Sequence, residues 1–283
     1  MVDLLLPEHL QLSDASADEI LRLVQITDCH LGQYSGECLV GMDTDSSLDH
    51  VLTLIKKEQP MANLLLATGD LANHGSAEAY LRLKNKLAPL GMANAWLAGN
   101  HDGRVLMADT VGNELLPRTV RIGRWLIVMM DSAVPGQVGG ELGEQELAYL
   151  EQALSAHADA EYVIGCLHHQ PIPIGCDWLD EQRLADSDQL LSILSREPRL
   201  RAVLWGHVHQ AFSGQDARLP GVQLLSAPST CVQFAPNSEG FKLDQTAPGY
   251  RWLNLHPDGR LETAVSRLDG IDLTVDYASQ GYK

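Results

Sequence analysis

Positive charge is scarce in this chain of 283 residues, where 20 Lys and Arg face 37 Asp and Glu for a formal net charge of -17. Duplex nucleic acid and anionic membranes are held by clustered Lys and Arg that replace counterions, so neither is an expected partner. Aromatic residues make up only 5% of the chain, and no low-complexity tract or repeat period is present. Long apolar runs are also missing: Trp125 to Met130 is far shorter than the roughly 20 residues needed to span a bilayer. The N-terminal stretch MVDLLLPEHLQLSDASADEI is interrupted by carboxylates and has no basic segment ahead of an apolar one, so it does not read as a secretory leader. Five cysteines, Cys29, Cys38, Cys166, Cys176 and Cys231, lack the regular spacing of a disulfide framework. They suit reduced thiols, and the expected location is cytoplasmic.

Apolar residues at 45% are enough to bury a core. Large sandwiches reach this length as one unit, so a single domain is expected, with a core at about residues 20–268 and a tail at about 269–283. Short apolar runs at Leu21–Thr27, Asn63–Thr68, Ala95–Ala98, Trp125–Met130, Tyr162–Leu167 and Ala202–Trp205 read as buried strands. Helical spacing appears at Leu48–Ile55, Ala77–Leu87, Gly143–Leu154 and near Ser187–Leu194. After Gly206 the pattern becomes strands and turns, at Val222–Ser226, Tyr250–Leu255 and Leu261–Val265. Strands interspersed with helices, then a β-rich end, predict an α/β fold of two sheets packed face to face with helices outside.

The informative regularity lies at the strand ends. Five of them run into metal-competent residues: Asp28-Cys29-His30, Gly69-Asp70, Gly99-Asn100-His101-Asp102, His168-His169 and Gly206-His207-Val208-His209. Strand ends at one rim of a sheet can converge on a point. In extended backbone, residues i and i+2 face the same way, so Asp28 with His30, and His207 with His209, could each supply a pair. Gly69, Gly99 and Gly206 permit close backbone approach just before the candidate ligands. Taken singly, Asp-x-His or Gly-Asp is ordinary loop chemistry. Together they would be costly uncompensated ions at one rim unless a cation joined them, and imidazole with carboxylate suits Zn, Mn, Fe or Co better than Mg or Ca.

The order D-x-H, GD, GNHD, a strand-ending His and GHxH resembles the calcineurin-like metallophosphoesterase superfamily, over roughly Leu23 to His209. More narrowly, QITDCHLG, ATGDLA, LAGNHD, LHHQPIPIGCDWLD, GHVHQ and PSTCVQF resemble the bacterial class III cyclic AMP phosphodiesterases. Cys29 stands where Ser or Thr is expected in many relatives, and packing is its expected role. The resemblance implies a four-layer sandwich of two mixed sheets flanked by helices. It implies two divalent or mixed-valence transition metal ions, one held by Asp28, His30, Asp70 and His209 and the other by Asp70, Asn100, His168 and His207. Of the adjacent histidines, His168 is the expected ligand because it comes first after the strand. His30, Asp70, Asn100, His101, His169 and His209 are then the substrate-binding candidates, although His169 could equally support the ligands or be a histidine hydrogen-bonded at the rim.

The implied reaction is hydrolysis of 3′,5′-cyclic AMP to 5′-AMP by metal-activated water, with His101 as general acid and Asp102 as its candidate orienter. Asp102 could equally cap the next helix. Loops around Trp178 and Pro228 to Phe234 are candidates for contacting the nucleoside or an oligomer interface, and a homodimer is the candidate assembly. The superfamily also admits broad-specificity phosphodiesterases and phosphomonoesterases. A non-catalytic cyclic nucleotide or metal sensor is the alternative of another class; it would have no need of the leaving-group acid.

Overall fold

Residues 9–12 and 19–281 are described in the computed structural model of this chain. Most of the N-terminal stretch that does not read as a leader, and the last two residues of the expected tail, lie outside them. The elements in chain order begin with β1 (His9–Leu12), β2 (Leu21–Ile26), β3 (Cys38–Leu39), β4 (Met42–Asp43), α1 (Thr44–Glu58), β5 (Leu64–Thr68) and α2 (Ala77–Leu87). Next come β6 (Ala93–Leu97), α3 (Arg104–Val111), β7 (Thr119–Ile122), β8 (Trp125–Met129), α4 (Gly143–Ala156) and β9 (Tyr162–Cys166). After these come α5 (Asp177–Asp180), α6 (Ser187–Leu194), β10 (Leu200–Trp205), β11 (Phe212–Gly214) and β12 (Gln223–Ser226). The β-rich end holds β13 (Gln233–Phe234), β14 (Leu243–Asp244), β15 (Gly249–Leu255) and β16 (Leu261–Arg267).

LLLAT in β5 and WLIVM in β8 are buried at every position, as strands covered on both faces must be. Two sheets result, one ordered β1-β7-β8-β9-β10-β12-β11 and the other β16-β15-β2-β5-β6. Leu23, Leu64, Leu66, Ile127, Ile164, Leu204 and Leu253 fill the space between them. Helices α1 and α2 cover the outer face of the smaller sheet, with Leu48, Val51, Ile55, Tyr80 and Leu83 against Val24, Ile26 and Leu65. Helices α4 and α6 cover the larger one, with Leu150, Leu190 and Leu194 against Leu126, Val128 and Val203. The expected four-layer α/β sandwich is therefore what forms.

Strand direction places the chemistry. β2, β5 and β6 are parallel, and β8, β9, β10 and β12 are parallel in the other sheet. Their C-terminal ends meet across the sandwich: Gln25 Nε2 donates to the Trp205 carbonyl at 2.9 Å, and His168 Nδ1 donates to the Thr68 carbonyl at 2.8 Å. The tail also packs, placing Leu273 against the core and donating Asp276 N–H to the Val40 carbonyl at 2.8 Å. Among the described residues no helix is long and apolar enough to cross a membrane.

Candidate metal centre

Each β2, β5 and β10 end turns abruptly rather than running on extended. Asp28, His30, Asp70, His207 and His209 all have φ between 45° and 64°. This corrects the expectation that i and i+2 pair because the stretch is extended: both members of each pair sit in the left-handed region, which non-glycine residues rarely occupy. Residues held in such conformations concentrate where surrounding structure fixes them for function. The bracing is visible here. Asp28 N–H donates to the Gly69 carbonyl and His30 N–H to the Asp70 carbonyl, each at 2.9 Å.

Asp28, His30, Asp70, Asn100, His168, His207 and His209 are brought together, six of them buried. The Asp28 carboxylate accepts the His207 backbone N–H at 3.0 and 3.1 Å, and His209 Nε2 lies 3.4 Å from Asp28 Oδ1. Asp70 Oδ2 stands between His168 Nε2 at 3.3 Å and His30 Nε2 at 3.8 Å. Asn100 Oδ1 lies 3.2 Å from His168 Nε2 and 3.0 Å from His207 Nδ1. Asp70 is thus the group shared by the two sides of the cluster. Gly99 and Gly206 are small because the site is crowded: a Cβ on Gly99 would lie 2.7 Å from His168 Nε2, and one on Gly206 would lie 3.0 Å from Asp28 Oδ2.

The rings show what the cluster is built to hold. His30 Nδ1 donates to Asn73 Oδ1 at 3.3 Å, and His209 Nδ1 donates to the Val232 carbonyl at 2.8 Å. In the neutral rings Nε2 then carries a lone pair, and these two Nε2 atoms face each other at 3.1 Å. Two acceptors at that distance repel unless they share a cation. Burial first, then neighbouring histidines, hold His207 well below the usual imidazole range; burial also holds His30 low, against the pull of Asp70. Burial opposes charge on His168 too, but Asp70 outweighs it and raises His168 to about 9. Asp70 itself is held well below the usual carboxylate range, the surrounding histidines overcoming its burial. Imidazoles, carboxylates and an amide oxygen in one buried cluster are the donor set of transition-metal dications, and the residues fit that group.

His101 lies beside this cluster with a ring nitrogen within 4.8 Å of donor atoms of His30 and Asp70. Its backbone N–H donates to Asp70 Oδ1 at 2.8 Å, and its Nδ1 donates to the Asn73 carbonyl at 2.8 Å. That contact corrects the role expected of Asp102. The Asp102 carboxylate accepts the N–H groups of Gly99, Leu71 and Ala72 at 2.9 to 3.1 Å and the Tyr80 hydroxyl at 3.0 Å. It ties two loops together and leaves Asn73 to place the His101 Nδ1; nor does it cap α3, whose N-cap is Gly103. Of the roles open to His169, its contacts favour that of a histidine hydrogen-bonded at the rim. Its Nε2 donates to the Val138 carbonyl at 3.0 Å and its Nδ1 accepts from Ser132 Oγ at 2.8 Å, so both ring nitrogens are taken up by protein. Burial and the neighbouring His168 lower it to about 3.

Several positioning residues are invisible in the motifs. Asn73 holds two histidines through separate atoms, and Ser229 Oγ donates to the Asp28 carbonyl at 2.8 Å. The stretch from Pro228 to Phe234 therefore braces Asp28 and His209, and Phe234 stacks on the His209 ring at 4.2 Å. Trp178 packs edge-on against Phe234 and Phe241 and donates Nε1–H to Ser238. Cys29 is fully buried among apolar neighbours, the packing role expected of it.

A two-sheet sandwich whose loops gather His, Asp and Asn donors at the strand ends defines a metal-dependent phosphoesterase class. The calcineurin-like phosphoesterase family model matches residues 21–211, and the chain belongs to that family. It is 45% identical over 268 residues to the 3′,5′-cyclic adenosine monophosphate phosphodiesterase CpdA of Pseudomonas aeruginosa, covering 94% of this chain and 97% of that one. The CpdA protein of Escherichia coli K12 is 39% identical over 93% of this chain and 95% of its own. A solved dimetal phosphatase from Danio rerio shares the fold at a TM-score of 0.62 and 14% identity, over 88% of this chain and 99% of that one.

Proposed function

We propose that this chain hydrolyses 3′,5′-cyclic AMP to 5′-AMP. The observation that carries this reading is 45% identity over nearly the whole chain to a protein named for that activity, joined to a complete cluster of donors. Asp28, His30, Asp70 and His209 would hold one divalent ion, and Asp70, Asn100, His168 and His207 the second. Fe, Mn, Zn and Co suit these ligands. When bound, such a pair supplies positive charge for the phosphoryl oxygens and lowers the pKa of coordinated water.

The chain's own residues supply the rest. Asp70 lies between the two sets and sets their spacing. His101, positioned through Nδ1 by the Asn73 carbonyl, delivers a proton from Nε2 to the departing 3′ oxygen as that bond to phosphorus breaks. Its backbone N–H is spent on Asp70, which couples the acid to the shared ligand. Asp102 and Ser229 hold the loops so that these groups do not have to be ordered during turnover.

The test is product analysis with purified, metal-assayed protein, comparing kcat/KM for cyclic AMP, cyclic GMP, 2′,3′-cyclic AMP and bis(p-nitrophenyl) phosphate. The reading predicts 5′-AMP as product and cyclic AMP among the best substrates. Cyclic AMP as the poorest of the four would overturn it.

A further inference from the structure

One strand end at the same rim is not used by the metal centre. β8 ends at Met129 beside its parallel neighbour β9, and Asp131 comes two residues later. Asp131 is in none of the metal-competent groups formed by the described residues. It lines instead a cavity of about 440 Å³ between the start of α3 and the loop after β8. That volume is within the range of small-ligand sites, roughly 300 to 1,000 Å³. Asn100, a member of the candidate metal centre, forms part of the cavity wall, so the space borders that centre. Leu106, Val134 and Pro135 give it an apolar surface suited to the faces of a planar base, and Arg104 and Asp131 are charged groups in that wall.

Asp131 is held from three directions. Its backbone N–H donates to Glu146 Oε2 at 3.1 Å, its Oδ1 accepts from Ala133 N–H at 3.1 Å, and its Oδ2 accepts from Arg104 Nη1 at 2.8 Å. Glu146 is itself gripped by Arg118 at 2.8 and 2.9 Å. An ionised carboxylate has about four acceptor positions, and two are engaged here. The result is an acceptor fixed in place on the wall of an apolar slot, its side chain 17% exposed.

Resting on the cyclic AMP reading above, we propose that this cavity is the base subsite and that Asp131 selects adenine by accepting a hydrogen bond from its 6-amino group. Adenine presents a donor at position 6, whereas guanine presents a carbonyl acceptor there. A carboxylate facing that carbonyl is repelled, so Asp131 favours adenine and disfavours guanine at once. Arg104 is a positioning residue: it fixes the carboxylate on the cavity wall.

The experiment compares kcat/KM of the wild-type protein and Asp131→Leu, both metal-loaded, for cyclic AMP, cyclic GMP and cyclic purine riboside monophosphate, which lacks the 6-amino group. Ratios between substrates cancel effects on machinery common to all three. A well-placed base contact is worth about 10-fold or more in discrimination, so the wild-type protein should prefer cyclic AMP over both others by at least that factor. In Asp131→Leu, which keeps the branched shape but has no acceptor, the preference over the unsubstituted purine should shrink towards one. Unaltered ratios in the variant overturn the proposal, whatever its overall rate. Should the variant not fold, the wild-type ratios decide: equal turnover of cyclic AMP and the unsubstituted purine also overturns it. If the wild-type protein cleaves bis(p-nitrophenyl) phosphate but no cyclic nucleotide, the cyclic AMP reading falls and this subsite with it.

Discussion

A single methyl group at Gly99 should disable the metal centre while sparing the fold. Gly99 has no positive φ, so space alone demands glycine there. A Cβ at this position falls against the Asp70 carboxylate and lies 2.5 Å from Asp70 N and 2.7 Å from His168 Nε2, where ordinary contact begins at 3.4 Å. His168 would have to retreat by about 0.7 Å, comparable to the 1 Å misplacement that costs on the order of 10²-fold in rate. The ring cannot retreat without stretching its 2.8 Å bond to the Thr68 carbonyl. Overpacking of this kind costs about 1–3 kcal/mol of stability, which most folds survive. Gly99→Ala should therefore remain folded by circular dichroism, bind less than two metal equivalents and lose about 10²-fold in kcat/KM. Gly240→Ala, where a Cβ meets nothing within 4 Å, is the matched control. A Gly99→Ala protein that holds two ions with wild-type affinity and turns over at full rate would show that the crowding at Gly99 does not position His168.

Replacing the proposed acid tests a different link. His101→Ala should retain its ions by mass spectrometry and lose about 10²- to 10⁴-fold in kcat, and normal turnover would remove His101 from that role. Loading the metal-free protein at neutral pH should release about one proton, because Asp70 raises His168 to about 9 and an ion requires its lone pair. Isothermal titration in buffers of different ionisation enthalpy reads this release, which should fade as pH rises above about 9. By the same sign, the protonated pair stabilises the metal-free fold below the ordinary imidazole value of 6.5, and that contribution is lost as pH climbs through about 9. Among the cysteines only Cys38 is exposed, so one thiol should react with a disulfide reagent in the native protein and all five after unfolding. Burial pushes Cys231 up to about 12 and Cys29 and Cys166 higher still, which opposes their reaction further.

Much of the architecture is readable because fully buried strands write themselves as short apolar runs. Trp125–Met129, Tyr162–Cys166 and Leu64–Thr68 form within a residue or so of where the pattern places them. Helix α1 starts earlier than its apolar spacing suggests, since Asp43 caps it by accepting from Ser46 N–H at 2.9 Å. Helix α3 escapes the pattern because RVLMADTV is apolar without a clear face: Val105 is 75% exposed while Met107 is buried. TVRI in β7 is too short and mixed to stand out, and it forms because β8 and β1 pair with it. The residues gathered at the centre can be named from their motifs, but the backbone that aims them cannot. Left-handed turns at Asp28, His30, Asp70, His207 and His209 depend on contacts between distant loops, as do the supports from Asn73 and Ser229. Spacing along the chain carries no record of these.

Cation positions are the sharpest test of the two-ion centre. Crystals of the zinc-loaded protein, measured at an anomalous wavelength, should show two peaks at the strand ends. One should lie at about 2.0–2.2 Å from His30 Nε2 and His209 Nε2, the other at that distance from His168 Nε2, with Asp70 touching both. A single peak, or peaks away from Asp70, would contradict it.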